Sequence, residues 1–231
     1  MSNNLKASLI SLLKNMGVTS GRTVFVQSDM LSFMGAARIV TPKKLPELLL
    51  DCLIESVGSS GTIVMPSFTT DCARKGLAYD LYQTSSDSGA LVEYMRKRPG
   101  TLRSLHPVNS IIALGNLAES LTKDVSLGSY SWDSPFDRMV SCDTIVLCMG
   151  MKGNLSNSFS HFAETKANLP YLYNKMLDYI KVSVNGVPVS RQFYMTVRYL
   201  DFDIKPDRKR HDHVMKESGF MRFSEWGGGN L

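Results

Sequence analysis

The chain has 231 residues, 43% of them hydrophobic, 20% charged and 9% aromatic, with a formal net charge of +5 and a pI of about 9.0. That composition supports one globular domain with a sizeable core and excludes a disordered or fibrous chain. No run approaches the roughly 18 apolar residues needed to cross a bilayer, so no membrane partner is expected.

The opening residues, MSNNLKASLISLLKNMG, carry an apolar stripe broken by Lys6 and Lys14. They read as an amphipathic helix, because a secretory signal needs an unbroken apolar stretch and a small-residue cleavage site. A cytoplasmic location is expected. The cysteines agree: Cys52, Cys72, Cys142 and Cys148 show no ligand-like spacing, and Cys52 and Cys148 sit in apolar runs as small hydrophobes. Neither a metal site nor a disulfide framework is expected.

TVFVQS (residues 23–28) is a short β-branched run that follows the turn signal Thr19-Ser20-Gly21. GTIVMPSF (residues 61–68) and DTIVLCMG (residues 143–150) are two more. Near-continuous apolar runs bounded by Gly or Pro are typical of strands buried on both faces. Between the first two, LPELLLDCLIESVG places its leucines at helical spacing, and SGALVEYMRKR (residues 88–98) is a second helix stopped by Pro99-Gly100. Strands alternating with helices predict a layered α/β fold. Beyond about residue 178, YIKVSVNGVPVSRQFYMTVRYLDFD alternates polar and apolar residues around Asn185-Gly186, an antiparallel hairpin signal.

The basic clusters, Arg96-Lys97-Arg98, Arg103 and KPDRKRH (residues 205–211), are short and separated, with no interleaved aromatic platform. They read as solvated surface charge, and no nucleic-acid partner is expected. Local positive charge also suits a phosphorylated cofactor such as coenzyme A.

Two of the four histidines stand in suggestive company. His161, in NSFSHFAETKANLPY, lies three residues before Glu164, so on a helix both project from one face. A carboxylate beside an imidazole fixes its tautomer and raises its basicity, as a general base requires. A surface His–Glu pair has the same spacing. In LRSLHPVNS, the residues Arg103, Ser104, His106 and Ser110 form a polar cluster fit for phosphate or pantetheine amides, or equally for a capped loop. Ser28, Asp29 and Ser32 follow the first strand, where α/β folds bind ligands. His211 and His213 have no other ligand-type residues beside them. No Walker A, Rossmann fingerprint or GxSxG elbow is present, and Met34-Gly35-Ala36-Ala37 does not match a dinucleotide loop.

Read in order, these segments resemble the aminoglycoside 3-N-acetyltransferase family, which is distinct from the GNAT acetyltransferases. TVFVQSDMLSFMGAA is similar to that family's first strand with its Ser-rich loop and Gly-Ala turn, and GTIVMPSFT to its Gly-Thr-(apolar)₂-Met-Pro-(Ser/Thr) strand. TSSDSGALVEYMRKRPGTLRSLHPVNSIIALG carries the small-residue helix start, the Pro-Gly stop and the Arg-Ser-x-His-Pro-x-x-Ser block. LGSYSWDSPFDRM, DTIVLCMG and NSFSHFAETKANLPY complete six ordered blocks between residues 23 and 171.

The resemblance implies an αβα layered sandwich with a central mostly parallel sheet and a C-terminal antiparallel hairpin. It implies acetyl-CoA as co-substrate and acylation of an amino group on a sugar, with His161 as base and Glu164 assisting. The cofactor would run along the loop Ser28, Asp29, Met30, Leu31, Ser32 and Phe33 and along Arg103, Ser104, His106 and Ser110. Backbone N–H groups near Ser28 to Ser32 would meet the oxyanion, and Asp71 and Asp124 would face the small-molecule amine. TTDCARKGLAYDLYQ (residues 69–83) is shorter than the Pro- and Trp-rich insertion of aminoglycoside-modifying members and poor in acids. Polycations need acidic walls. The expected acceptor is therefore a nucleotide-linked amino sugar destined for a surface polysaccharide. The alternatives are an aminoglycoside 3-N-acetyltransferase conferring antibiotic resistance and a non-catalytic CoA-binding protein. Oligomeric state, monomer or homodimer, is left open.

Overall fold

The computed structural model describes residues 2–33, 42–151, 158–205, 207–226 and 229–230. Helix α1 (Ser2–Asn15) leads into strand β1 (Thr23–Ser28), and helix α2 (Leu45–Val57) into β2 (Thr62–Pro66). A short helix α3 (Thr70–Lys75), a two-residue strand β3 (Tyr79–Asp80) and helix α4 (Ala90–Arg96) follow. Then come β4 (Leu102–Arg103), β5 (Ile111–Gly115), α5 (Ala118–Thr122), α6 (Pro135–Ser141), β6 (Ile145–Met149) and α7 (Phe159–Lys166). The C-terminal part holds β7 (Leu172–Met176), β8 (Val182–Val184), β9 (Val187–Pro188), β10 (Tyr194–Arg198) and α8 (Arg208–Glu217). No helix among the described residues is long and apolar enough to cross a membrane.

The central sheet has the order β4-β5-β2-β1-β6. β1 pairs in parallel with both β2 and β6, whereas β5 runs antiparallel to β2 and β4. Four of the five strands thus point one way. The two-residue alternation of strand side chains sorts the core into two layers. Val24, Val26, Ile63, Met65, Ile112, Leu147 and Met149 meet α1, α2 and α4 through Leu9, Leu13, Leu49, Leu53 and Leu91. Phe25, Val64 and Ala113 face the opposite side, against Leu121, Phe136, Met139 and Phe162 of α5, α6 and α7. This is the αβα sandwich with a mostly parallel sheet.

Asn185 (φ 51) and Gly186 (φ 77) close the β8–β9 hairpin, both in the left-handed region that a two-residue primed turn requires. The alternating run does not continue as one long hairpin, however. Pro188 has no N–H to extend the ladder, and the next strand, β10, pairs antiparallel with β7 instead. β8 also pairs in parallel with β3, so the hairpin is anchored on the chain between β2 and α4. A third apolar cluster, including Tyr79, Leu81, Val108, Leu177, Val182 and Phe193, ties this C-terminal part to the α/β core.

The β2–β5 seam depends on a close backbone approach. Gly115 sits opposite Thr62 with φ +125, and a Cβ there would lie 2.2 Å from the Gly61 carbonyl oxygen. The backbone conformation and the contact both exclude a side chain. Gly115→Ala should lower stability by about 2–4 kcal/mol, read as a reduced urea midpoint with an unchanged slope. A midpoint equal to that of the parent chain would show that the seam tolerates a methyl group.

Candidate active site

Two interactions place α7. The Ser158 N–H donates to Gln27 Oε1 at 2.8 Å, fastening the helix start to the carboxyl end of β1. Phe159 then meets Phe25 and Phe136 edge-on, with ring centroids 5.3 Å apart in each case. Phe162, three residues on, is buried as well. With both phenylalanines inward, His161 is left on the outer face, its side chain 52% exposed. It stands beyond the carboxyl ends of parallel strands, the side from which ligands reach open α/β sheets.

His161 Nδ1 lies 3.3 Å from Glu164 Oε2. The other carboxylate oxygen, Oε1, accepts from the Tyr171 hydroxyl at 3.2 Å and from Arg198 Nη2 at 2.5 Å. Donors from α7, from the chain before β7 and from β10 therefore converge on one half-buried carboxylate. If Nδ1 carries the proton that Glu164 accepts, Nε2 is left with its lone pair free for a substrate. Beneath the imidazole lies Tyr130, ring centroids 5.9 Å apart and planes tilted by 45°. Burial first, and the Glu164 charge second, push the Tyr130 phenol well above its ordinary range, so it stays neutral.

Gln27, Tyr130, Tyr171 and Arg198 were not singled out from the sequence. Tyr130 and Tyr171 do lie inside the LGSYSWDSP and NLPY segments. Arg198 offers no local signal, since its partner lies 34 residues away.

The polar cluster before β5 is buried and bonded within the protein. Ser104, His106 and Ser110 are buried, and Arg103 is only 9% exposed. Their hydrogen bonds go to the protein. Arg103 Nε donates to Ser110 Oγ (3.0 Å), Nη1 to the Thr84 carbonyl (2.6 Å) and Nη2 to the Ser67 carbonyl (2.9 Å). Ser104 Oγ accepts from the Ile111 N–H. His106 Nδ1 accepts from the N–H groups of Val108 (3.1 Å) and Asn109 (2.9 Å), so Nε2 is the protonated nitrogen and donates to the Tyr194 carbonyl at 3.0 Å. Burial lowers the His106 pKa to about 4, and the ring is neutral. Arg, Ser and His are ligand-type residues, but here they brace β4–β5 against the Ser67 strand end and β10.

The loop after β1 begins at the expected place. The Asp29 N–H is taken by the Met149 carbonyl (2.8 Å) and the Leu31 N–H by Asp29 Oδ1 (3.0 Å). Those two groups are thus spent rather than open to an oxyanion. Ser28 ends β1, Met30 packs against the inner core and Leu31 is 75% exposed. The side chains of Ser32 and Phe33, and all of Met34 to Ala37, lie outside the described residues.

Asp71 and Asp124 are not brought together. Asp71 pairs with Lys75 on α3 at 2.7 Å. Asp124 borders a cleft of about 380 Å³ between β4, the segment after α5 and the β8–β9 hairpin. Its walls are Leu and Val side chains, and its charged lining consists of Arg103, Lys123, Arg191 and Asp124. Leu127 also lines it, three residues before Tyr130. All four cysteines are free, and burial raises the Cys52 and Cys148 thiols to about 11, so both are protonated. No group of three or more metal-ligating side chains occurs among the described residues.

A family model described as aminoglycoside 3-N-acetyltransferase matches residues 32–230. The chain belongs to this family. The aminoglycoside N(3)-acetyltransferase IV of a Salmonella species is 32% identical over 173 residues, covering 72% of this chain and 60% of the relative. The chain therefore matches about 60% of the length of that curated relative. Among solved structures, the aminoglycoside acetyltransferase AAC(3)-Xa superposes with a TM-score of 0.77 at 21% identity, over 98% of this chain and 86% of its own. AAC-IIIb, crystallised as a binary complex with CoASH, superposes with a TM-score of 0.75 at 20% identity, over 97% and 89%. These two likenesses establish the family fold.

The neutral, buried His106 has a consequence for stability. In the unfolded chain an imidazole protonates near its ordinary pKa of about 6.5, whereas the folded chain resists protonation down to about 4. Stability should fall as pH drops through this window, by about 3 kcal/mol in full. His106→Gln should be less stable at neutral pH yet lose less on acidification. Denaturant melts of both chains from pH 7 to pH 4 with parallel slopes would contradict a neutral His106.

Proposed function

We propose that this chain is an acetyl-CoA-dependent N-acetyltransferase acting on an amino group of an amino sugar, with His161 as general base. What carries the reading is the His161–Glu164 pair on the outer face of α7, in a chain that belongs to this family. The CoASH complex of AAC-IIIb supports coenzyme A as the acyl carrier. A reaction drawing on acetyl-CoA suits a cytoplasmic enzyme.

An alkylammonium has no lone pair and must lose one proton to solvent before it attacks. His161 Nε2 would accept a second proton from the nitrogen as the neutral amine bonds to the thioester carbonyl carbon. The imidazolium so formed is stabilised by Glu164, which already holds Nδ1. As the tetrahedral intermediate collapses, the C–S bond breaks and the thiolate leaves with the pair. The proton held at Nε2 is the nearest one to return to it. Acetyl-CoA supplies only the activated acyl group, and orienting and deprotonating the amine falls to this chain. The short turn at Met30–Phe33, beyond β1, with Leu31 exposed, supports the loop after β1 as part of the cofactor path.

The cleft beside Leu127 bears on the acceptor. Arg103, Lys123 and Arg191 stand against Asp124 alone, although Lys123 is also paired with Glu119. A cationic lining favours an acceptor that carries phosphate, such as a nucleotide-linked amino sugar, over a polycation. Similarity to the Salmonella aminoglycoside N(3)-acetyltransferase IV favours the second reading, an aminoglycoside acceptor.

Thiol release from acetyl-CoA should be followed with nucleotide-linked amino sugars, free amino sugars and aminoglycosides. Turnover is expected with the nucleotide-linked sugars, and His161→Ala should reduce it by about 10²-fold or more. Turnover confined to aminoglycosides would overturn the acceptor assignment. An unimpaired His161→Ala enzyme would overturn the base assignment.

A further inference from the structure

We infer that Arg198 is a positioning residue that shares the Glu164 carboxylate with His161 and thereby holds the imidazole in the one tautomer and orientation that present Nε2 outward. The inference rests on the proposed role of His161. Its geometry does not.

Arg198 reaches Glu164 from the last residue of β10. Its Nη2 donates to Glu164 Oε1 at 2.5 Å, and its guanidinium carbon lies 5.6 Å from the Tyr171 ring centroid. The carboxylate is thus divided, with Oε1 committed to Arg198 and Tyr171 and Oε2 left for His161 Nδ1. The second anchor fixes the carboxylate plane, so Oε2 holds the imidazole in one tautomer and one orientation.

Among the described residues, Tyr130, under the ring, is buried and neutral. Tyr171 is held neutral, its phenol raised by burial and by Glu164. Lys166, on the same helix, is tied to Asp137 of α6 at 2.7 Å. Without the arginine the carboxylate would be free to turn about its own bond, and the imidazole with it. The Arg198 side chain is 33% exposed and a packed core does not require it, so its removal should leave the fold intact.

The test pairs Arg198→Gln and Arg198→Lys with two readouts. The first is the His161 tautomer, read from the imidazole nitrogen resonances of the purified, isotope-labelled full chain. It needs no substrate, and His161→Gln identifies the resonances among four histidines. The parent chain should show Nδ1 protonated, and Arg198→Gln should show a mixture of both tautomers. Arg198→Lys should restore most of the parent pattern. The second readout is thiol release, where Arg198→Gln should lower kcat by about tenfold with KM for acetyl-CoA unchanged. An unchanged His161 tautomer in Arg198→Gln overturns the inference. Should Arg198→Gln fail to give a native thermal melt, Arg198→Met takes its place, with the same mixture expected and an unchanged tautomer again overturning the inference. A tautomer change in a protein with no turnover on any amine would support the place of Arg198 and remove His161 from the role of base.

Discussion

The position of β1 between two parallel neighbours is the constraint from which the candidate site follows. Parallel pairing demands crossover connections, and these put α2 on one face of the sheet and return the chain to β6 on the other side of β1. Ser28 and Met149 then lie side by side, and the Asp29 N–H extends the ladder by one more bond to Met149. Alternation along β1 points Val24 and Val26 to the α1–α2–α4 layer, and Phe25 and Gln27 to the other. Phe25 builds the aromatic bed on which Phe159 rests, and Gln27 takes the Ser158 N–H. A residue shift along β1 would exchange these faces and leave α7 without its anchor.

That chain of consequences explains which features were legible in the sequence. TVFVQS coincides with β1 residue for residue, because an apolar β-branched run between turn signals has one economical structure. The Asn185-Gly186 turn was equally plain, as its two positive φ angles need those residue types. His161 and Glu164 were legible as a pair because helical spacing is a local property. The β7–β10 pairing was not, since neither strand contains a signal naming its partner, and with it went Arg198 and half of the Glu164 environment. The burial of the Arg103, Ser104, His106 and Ser110 block was illegible for a different reason. Residue type suggested ligand chemistry, but burial is decided by distant chain, here by Tyr194, which lies 88 residues beyond His106.

The buried block and the exposed dyad belong to one support system. His106 and Ser129 both bond to the Tyr194 carbonyl, and the Ser129 N–H donates to it as well. Ser129 is next to Tyr130, which lies under His161, and Tyr194 opens the strand that ends in Arg198. One carbonyl thus joins the segment beneath the imidazole to the strand that supplies the counter-cation of Glu164. A neutral His106 is suited to that place, since a fixed Nε2 donor with two backbone donors on Nδ1 locks its ring in one orientation. The residues whose types suggested ligand contacts thus hold the elements that flank the dyad.

Separating the dyad from the walls also separates chemistry from specificity. An imidazole oriented by a shared carboxylate will deprotonate any amine that reaches Nε2, so nothing in the His161–Glu164–Arg198 arrangement selects a substrate. Selection must come from surfaces that meet the rest of the acceptor. On the reading proposed above, the cleft near Leu127 is such a surface, with Arg103, Arg191 and the Glu119-paired Lys123 beside Asp124. A polycationic acceptor there would have to desolvate its ammonium groups against cationic neighbours, an unfavourable contact that the His161–Glu164 pair would not offset. An acceptor bearing phosphate would meet the same walls with the opposite sign. Membership of the family thus bears on how an amine would be acylated here, and the charge of the cleft on which amine would arrive.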